Sequence, residues 1–129
     1  MSKENLGLLN YLAELRGTIA DFSVVAQRVE EQRVVDGYTW EELPVTAVTL
    51  DEDDGQICLA RPDKELAEGS AMNVDSFYDA LRAELERHPD FTIVVSVWFR
   101  VDDEHTAGVQ LPLVGVEVDE GMRVLRLRF

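Results

Sequence analysis

The chain has 129 residues, of which 46% are apolar and 29% charged, enough core for one domain and too much for a chain disordered throughout. Twenty-six acids against twelve bases give a formal charge of -14, which repels phosphate backbones and excludes general nucleic-acid binding. The apolar runs fall far short of the ~20 residues of a membrane span, the opening MSKENLG has no leader pattern, and Cys58 alone permits no internal disulfide, so a cytoplasmic protein without membrane attachment is expected.

In chain order, Leu8, Leu12, Leu15, Ile19, Phe22, Ala26 and Val29 recur at alternating spacings of four and three, widened by Leu9 and Val25. This a/d stripe predicts a helix of about 30 residues, from an N-cap at Ser2 to a stop at Asp36-Gly37. At ~1.5 Å per residue such a helix would run ~45 Å, more than a domain of this size easily covers. Two readings follow: Gly17-Thr18 breaks the stretch into a helix pair, or residues 1–35 form a helical arm whose Leu12 and Ile19 meet a partner or a second copy.

Thr39-Trp40-Glu41-Glu42 has capping-box spacing, but Pro44 limits it to one turn. Pro44 to Leu50 and Gln56 to Ala60 are β-rich and flank Asp51-Glu52-Asp53-Asp54-Gly55, a hairpin with Gly55 at a positive-φ position. Residues 61–73 are a polar connection. Phe77, Ala80, Leu81, Leu85 and His88 predict a helix over 75–88, stopped by Pro89. Phe91 to Val101, Gly108 to Val118 and Met122 to Phe129 then read as a three-stranded antiparallel meander. The predicted class is α+β, a single domain over residues 1–129: a long N-terminal helix or helix pair, a hairpin, a helix and the meander. The helical crossover after Arg61 lets hairpin and meander share one mixed or antiparallel sheet with the helices packed on it.

Residues that usually carry chemistry are scarce. The Asp51 loop misses EF-hand spacing, with Pro62 where the last ligand would stand, and four consecutive residues Asp102-Asp103-Glu104-His105 do not converge on one ion. Cys58 is mid-strand in an apolar run with no second thiol or adjacent base, and His88 closes a helix. No Gly-rich phosphate loop or nucleophile elbow is present, so no catalytic, metal-binding or cofactor-binding residue is assigned and no cofactor is expected.

Two surfaces remain as partner-binding candidates. Between Arg33 and Arg61 stand seven acids and no base, and Asp51, Asp53 and Asp54 would offer a hairpin tip to a basic partner; solvation of a lysine-poor, acidic surface is the alternative. In the meander, pairing Val118 with Met122 and Val101 with Ala107 places Phe91, Ile93, Val95, Val97, Phe99, Val109, Leu111, Leu113, Leu125, Leu127 and Phe129 on a core face. The opposite face then holds Val94, Trp98, Val114, Val116, Val118, Met122 and Val124, bordered by Arg100, Arg126 and Arg128, with Trp98 opposite Gln110, Val114 opposite Arg126 and Pro112 opposite Arg128. Trp and Arg are the side chains most enriched at interface hot spots. The expected function is a non-catalytic, acidic protein–protein interaction module of the inhibitor, immunity, adaptor or assembly type, binding a protein partner or itself as a homodimer. The alternative is a small-ligand-binding or catalytic α+β domain with a pocket between helix and sheet.

Overall fold

A computed structural model describes residues 1–27, 42–59, 70–100, 103–104 and 106–129, apart from the side chains of 97–100 and 106–109. Helix α1 runs Lys3–Ile19, with the Ser2 hydroxyl accepting the Asn5 N–H as its N-cap. It ends well before the expected length: Gly17 and Thr18 lie inside it, Ala20 caps it, and Phe22 N–H returns to the Ile19 carbonyl. The chain then enters strand β1, Ser23–Gln27, so the predicted long helix, helix pair and projecting arm give way to one helix and a strand. Phe22 and Ala26 continue the four-and-three spacing, yet Val24, Val25 and Ala26 are all buried. Burial of three consecutive residues is what a central strand covered on both faces gives, and β-branched Val24 and Val25 suit it better than a helix. Val29, the Asp36-Gly37 stop, most of the Thr39–Glu42 box and most of the 61–73 connection lie outside the described residues.

Strands β2 (Glu42–Pro44), β3 (Thr49–Asp51) and β4 (Gln56–Cys58) follow, then helix α2 (Val74–Arg87) and strands β5 (Thr92–Arg100), β6 (Thr106–Pro112), β7 (Gly115–Asp119) and β8 (Val124–Arg128). The β3–β4 hairpin turns as expected, with Gly55 at φ +64°. Helix α2 is close to its predicted span, opened by the Asn73 side chain accepting the Ser76 N–H at 2.8 Å.

The α+β class holds, but in place of one sheet the strands form two four-stranded mixed sheets, ordered β2-β1-β8-β7 and β3-β4-β5-β6. Each has a parallel pair at its centre, β1 with β8 and β4 with β5. The second joins the hairpin to β5 across the α2 crossover, as the sequence led us to expect. The expected meander is divided because its middle strand changes sheets. Leu113 N–H bonds the Ile93 carbonyl of one sheet, and the next residue, Val114, bonds the Arg128 carbonyl of the other at 2.7 Å. Pro112, which lacks an N–H, ends β6 at this corner.

The corner also corrects the register. Phe99 pairs with Ala107, Trp98 with Gly108 and Ser96 with Gln110, two residues from the expected alignment, so β5 and β6 keep their predicted faces. Val118 pairs with Leu125, Asp119 with Val124, Glu117 with Arg126 and Gly115 with Arg128, an odd shift that turns β7 over. Val116 and Val118 therefore face the core, while Pro112 lies opposite Val94. One core collects Leu8, Leu12 and Ile19 of α1, Phe77, Leu81 and Leu85 of α2, Val24, Leu125 and Leu127 of the first sheet, and Ile57, Ile93 and Val95 of the second. Truncating a side chain as buried as Phe77 costs about 3–5 kcal/mol.

Candidate functional site

The described residues place the sequence-derived candidates in three separate settings. Leu12 is fully buried and Ile19 nearly so, both against the chain's own core. Helix α1 is tied to α2 by Arg16, whose guanidinium reaches Asp75 at 2.6 Å and Asp79 at 3.2 Å and stands over the Tyr78 ring.

The expected single face carrying both Trp98 and Arg126 is divided, because Trp98 and Arg100 lie in β5 of one sheet and Arg126 and Arg128 in β8 of the other. The side chains of Trp98 and Arg100 lie outside the described residues. Val94, assigned to the open face, is buried beside Cys58, its partner across the parallel pair; the Cys58 thiol lies 3.4 Å from the Ser96 hydroxyl. On the outer face of the first sheet the Arg126 side chain is only 14% exposed and is surrounded by acids. Its guanidinium meets Asp119 at 2.5 Å, Glu42 at 3.1 Å and Glu117 at 3.5 Å, and Arg128 stands 3.8 Å from Glu117. The Asp119 carboxyl falls below the usual range, first through the backbone N–H of Met122 and then through Arg126. Val114 and Met122, at the two ends of β7, are 65% and 70% exposed.

The third setting is an acidic end of the molecule. Glu52, Asp53 and Asp54 are exposed on the β3–β4 tip and Asp51 is half-buried. Among the described residues no cation pairs with Asp51, Asp53 or Asp54, and Glu52 approaches His88 only to 3.9 Å. Asp54 is pushed above its usual range, first by its hydrogen bond with Asp51 and then by repulsion from Asp51 and Asp53. The tip is fixed to the start of β5: Thr92 N–H bonds the Gly55 carbonyl at 3.1 Å, and Phe91 stacks on His88 at 4.3 Å.

Beside this junction lies a cleft of about 340 Å³ between the first turn of α1, the start of β5 and the sheet-changing corner. Apolar Leu8, Phe91, Ile93 and Leu113 line it together with polar Ser2, Asn5 and Thr92, and Glu4 and Asp90 stand on it, Asp90 3.9 Å from the N-terminal ammonium. Asn5, 6% exposed, holds the elements together, its side-chain N–H groups donating to the Pro89 carbonyl at 3.1 Å and the Phe91 carbonyl at 2.8 Å. Sequence reasoning missed Asn5; the only local signal was a polar residue three positions before Leu8 on the buried side of the helix.

Among the described residues no group of three or more His, Cys, Asp or Glu side chains is arranged to hold a metal ion, and no helix is long and apolar enough to cross a membrane. Comparison with protein-family models, curated proteins and solved structures finds no match.

Proposed function

We propose that the chain is a non-catalytic, acidic protein–protein interaction module of the inhibitor, immunity, adaptor or assembly type, acting in the cytoplasm. The observation that carries this reading is the hairpin tip. Asp51, Asp53 and Asp54 are held close together with no counter-cation among the described residues, and Asp54 is driven toward protonation by its neighbours. A loop that keeps like charges together carries an electrostatic cost which a basic partner surface relieves. The tip acids are mostly exposed, so a partner reaches them without disturbing the core.

The test compares wild type with the Asp51→Asn/Asp53→Asn/Asp54→Asn variant in titrations of a partner recovered from the source cell, over a series of salt concentrations. The variant is expected to bind more weakly and with a flatter salt dependence at an unchanged melting temperature. Equal affinity and equal salt slope would leave the acids to solvation and refute the reading. A second copy as the partner would cover the exposed Val114, just before β7, or Met122, in the turn after it. A 29 kDa species in light scattering, twice the 14.6 kDa chain, is expected in that case, reverting to monomer with Met122→Glu. A second reading, a small-ligand-binding or catalytic domain, is favoured by the cleft between α1 and β5; a thermal shift with a metabolite in a chain that binds no protein would establish it.

A further inference from the structure

The cleft beside the acidic tip combines three properties that together specify an occupant. Its volume, about 340 Å³, is at the low end for ligand sites, suited to one or two side chains rather than an extended cofactor. Its lining is mixed: Leu8 and Ile93, buried, and Phe91 and Leu113, half-buried, are apolar, and Ser2, Asn5 and Thr92 are polar. Its charged lining residues, Glu4 and Asp90, are both exposed acids, with the N-terminal ammonium 3.9 Å from Asp90 as the one nearby cation among the described residues, and Gly55 at the acidic tip lies against Phe91. A partly apolar hole beside two carboxylates complements an apolar side chain flanked by cations.

We propose that this cleft is the docking site for a basic peptide segment of a partner protein, with an apolar side chain entering it and an adjacent arginine or lysine held by Glu4 and Asp90. The proposal rests on the interaction reading above and deepens it by giving the partner a sequence character. The site is preformed, because Asn5 fixes α1 to the turn before β5 through two hydrogen bonds. Little ordering is therefore required on binding, and specificity comes from having both anchors at one spacing. The tip acids then act at longer range, attracting the basic segment and adding salt dependence.

The experiment is a backbone-amide NMR titration of the full chain with three blocked pentapeptides: Gly-Arg-Leu-Arg-Gly, its apolar-free counterpart Gly-Arg-Gly-Arg-Gly, and its charge-free counterpart Gly-Ser-Leu-Ser-Gly. The first is expected to give saturable shifts at Leu8, Thr92, Ile93 and Leu113, and the other two to bind at least about tenfold more weakly. Neutralising the rim with Glu4→Gln/Asp90→Asn, both exposed, is expected to abolish those shifts while lowering the melting temperature by only a few degrees, since Glu4 stands in the first turn of α1 and Asp90 near the N-terminal ammonium. The tip variant is expected to weaken binding only modestly and mainly at low salt. Shifts confined to 51–55 and lost in the tip variant overturn the cleft while sparing the interaction reading. No saturable shift with the first peptide at millimolar concentration, or full binding to the rim variant, also overturns the docking site; the partner titration across salt then decides the broader reading on its own.

Discussion

Asn5 is the most informative single position to perturb, because its side chain joins residues 84 and 86 positions away in the chain. In Asn5→Ala the Pro89 carbonyl keeps the Ser2 N–H at 3.3 Å, so that loss is about 1 kcal/mol. The Phe91 carbonyl loses its 2.8 Å donor, costing about 1–3 kcal/mol where burial keeps water away. The better helix propensity of Ala returns roughly 0.6 kcal/mol. The net is about 1.5–3.5 kcal/mol, or roughly a 5–13 °C fall in melting temperature for a chain of this length. Urea titrations with unchanged m-values measure it directly. Asn5→Asp sharpens the test: at an exposed third helical position Asp is favoured by the helix dipole by about 0.3–1 kcal/mol, whereas a carboxylate facing two carbonyl oxygens is repelled. Asn5→Asp is expected to be worse than Asn5→Ala, and Asn10→Ala, on the exposed side of the same helix, to stabilise by roughly 0.6 kcal/mol. A cost below about 0.5 kcal/mol for Asn5→Ala, or an Asp variant more stable than the Ala variant, would refute the tethering role.

Glycine substitutions separate helix from turn: Gly7→Ala and Gly17→Ala, each with open space around the new Cβ, should stabilise by about 0.5–1 kcal/mol, whereas Gly55→Ala at φ +64° should destabilise by about 1 kcal/mol, as thermal melts would show. Leu12→Ala should cost about 2–5 kcal/mol in a monomer at any protein concentration, since Leu12 is buried within its own chain; a loss that vanishes on dilution would instead point to a helical arm. The lowered Asp119 titration stabilises the fold at and above neutral pH, and that contribution disappears as pH falls through the ordinary Asp value near ~4 toward the folded-state one. Asp119→Asn should therefore lower the urea midpoint at pH 7 and flatten its decline between about pH 5 and pH 2; an unchanged acid slope would contradict the Met122 and Arg126 contacts as its source.

What could be read in advance followed from how local each determinant is. Helix α2 was legible because Phe77, Leu81 and Leu85 set the period and Pro89 stops it, and the hairpin because Gly55 supplies the positive φ. Strand β1 was not, since Phe22 and Ala26 happen to prolong the α1 stripe and one of its two pairing partners, β8, lies about 100 residues away, Ser23 with Val124. The surface combining Trp98 with Arg126 depended on a single sheet, and the change of sheet between Leu113 and Val114 separates them. Of the acidic end, the Asp51–Asp54 tip could be named from composition, but the cleft could not. It exists only because Asn5 meets two carbonyls whose positions the tertiary fold sets.

The placement of β8 between β1 and β7 imposes an order on synthesis. Once the chain has emerged through Pro112, every strand of the second sheet is available for pairing, but the first has only β1 and β2. Until Val124–Arg128 appears, β1 presents an unpaired edge bearing Val24 and Val25, the kind of edge that recruits strands from other chains. The loop to be closed then spans about 100 residues, which slows the final step relative to helix and hairpin formation. A ribosome paused just short of β8 would thus hold out a half-built sheet whose open edge is β1.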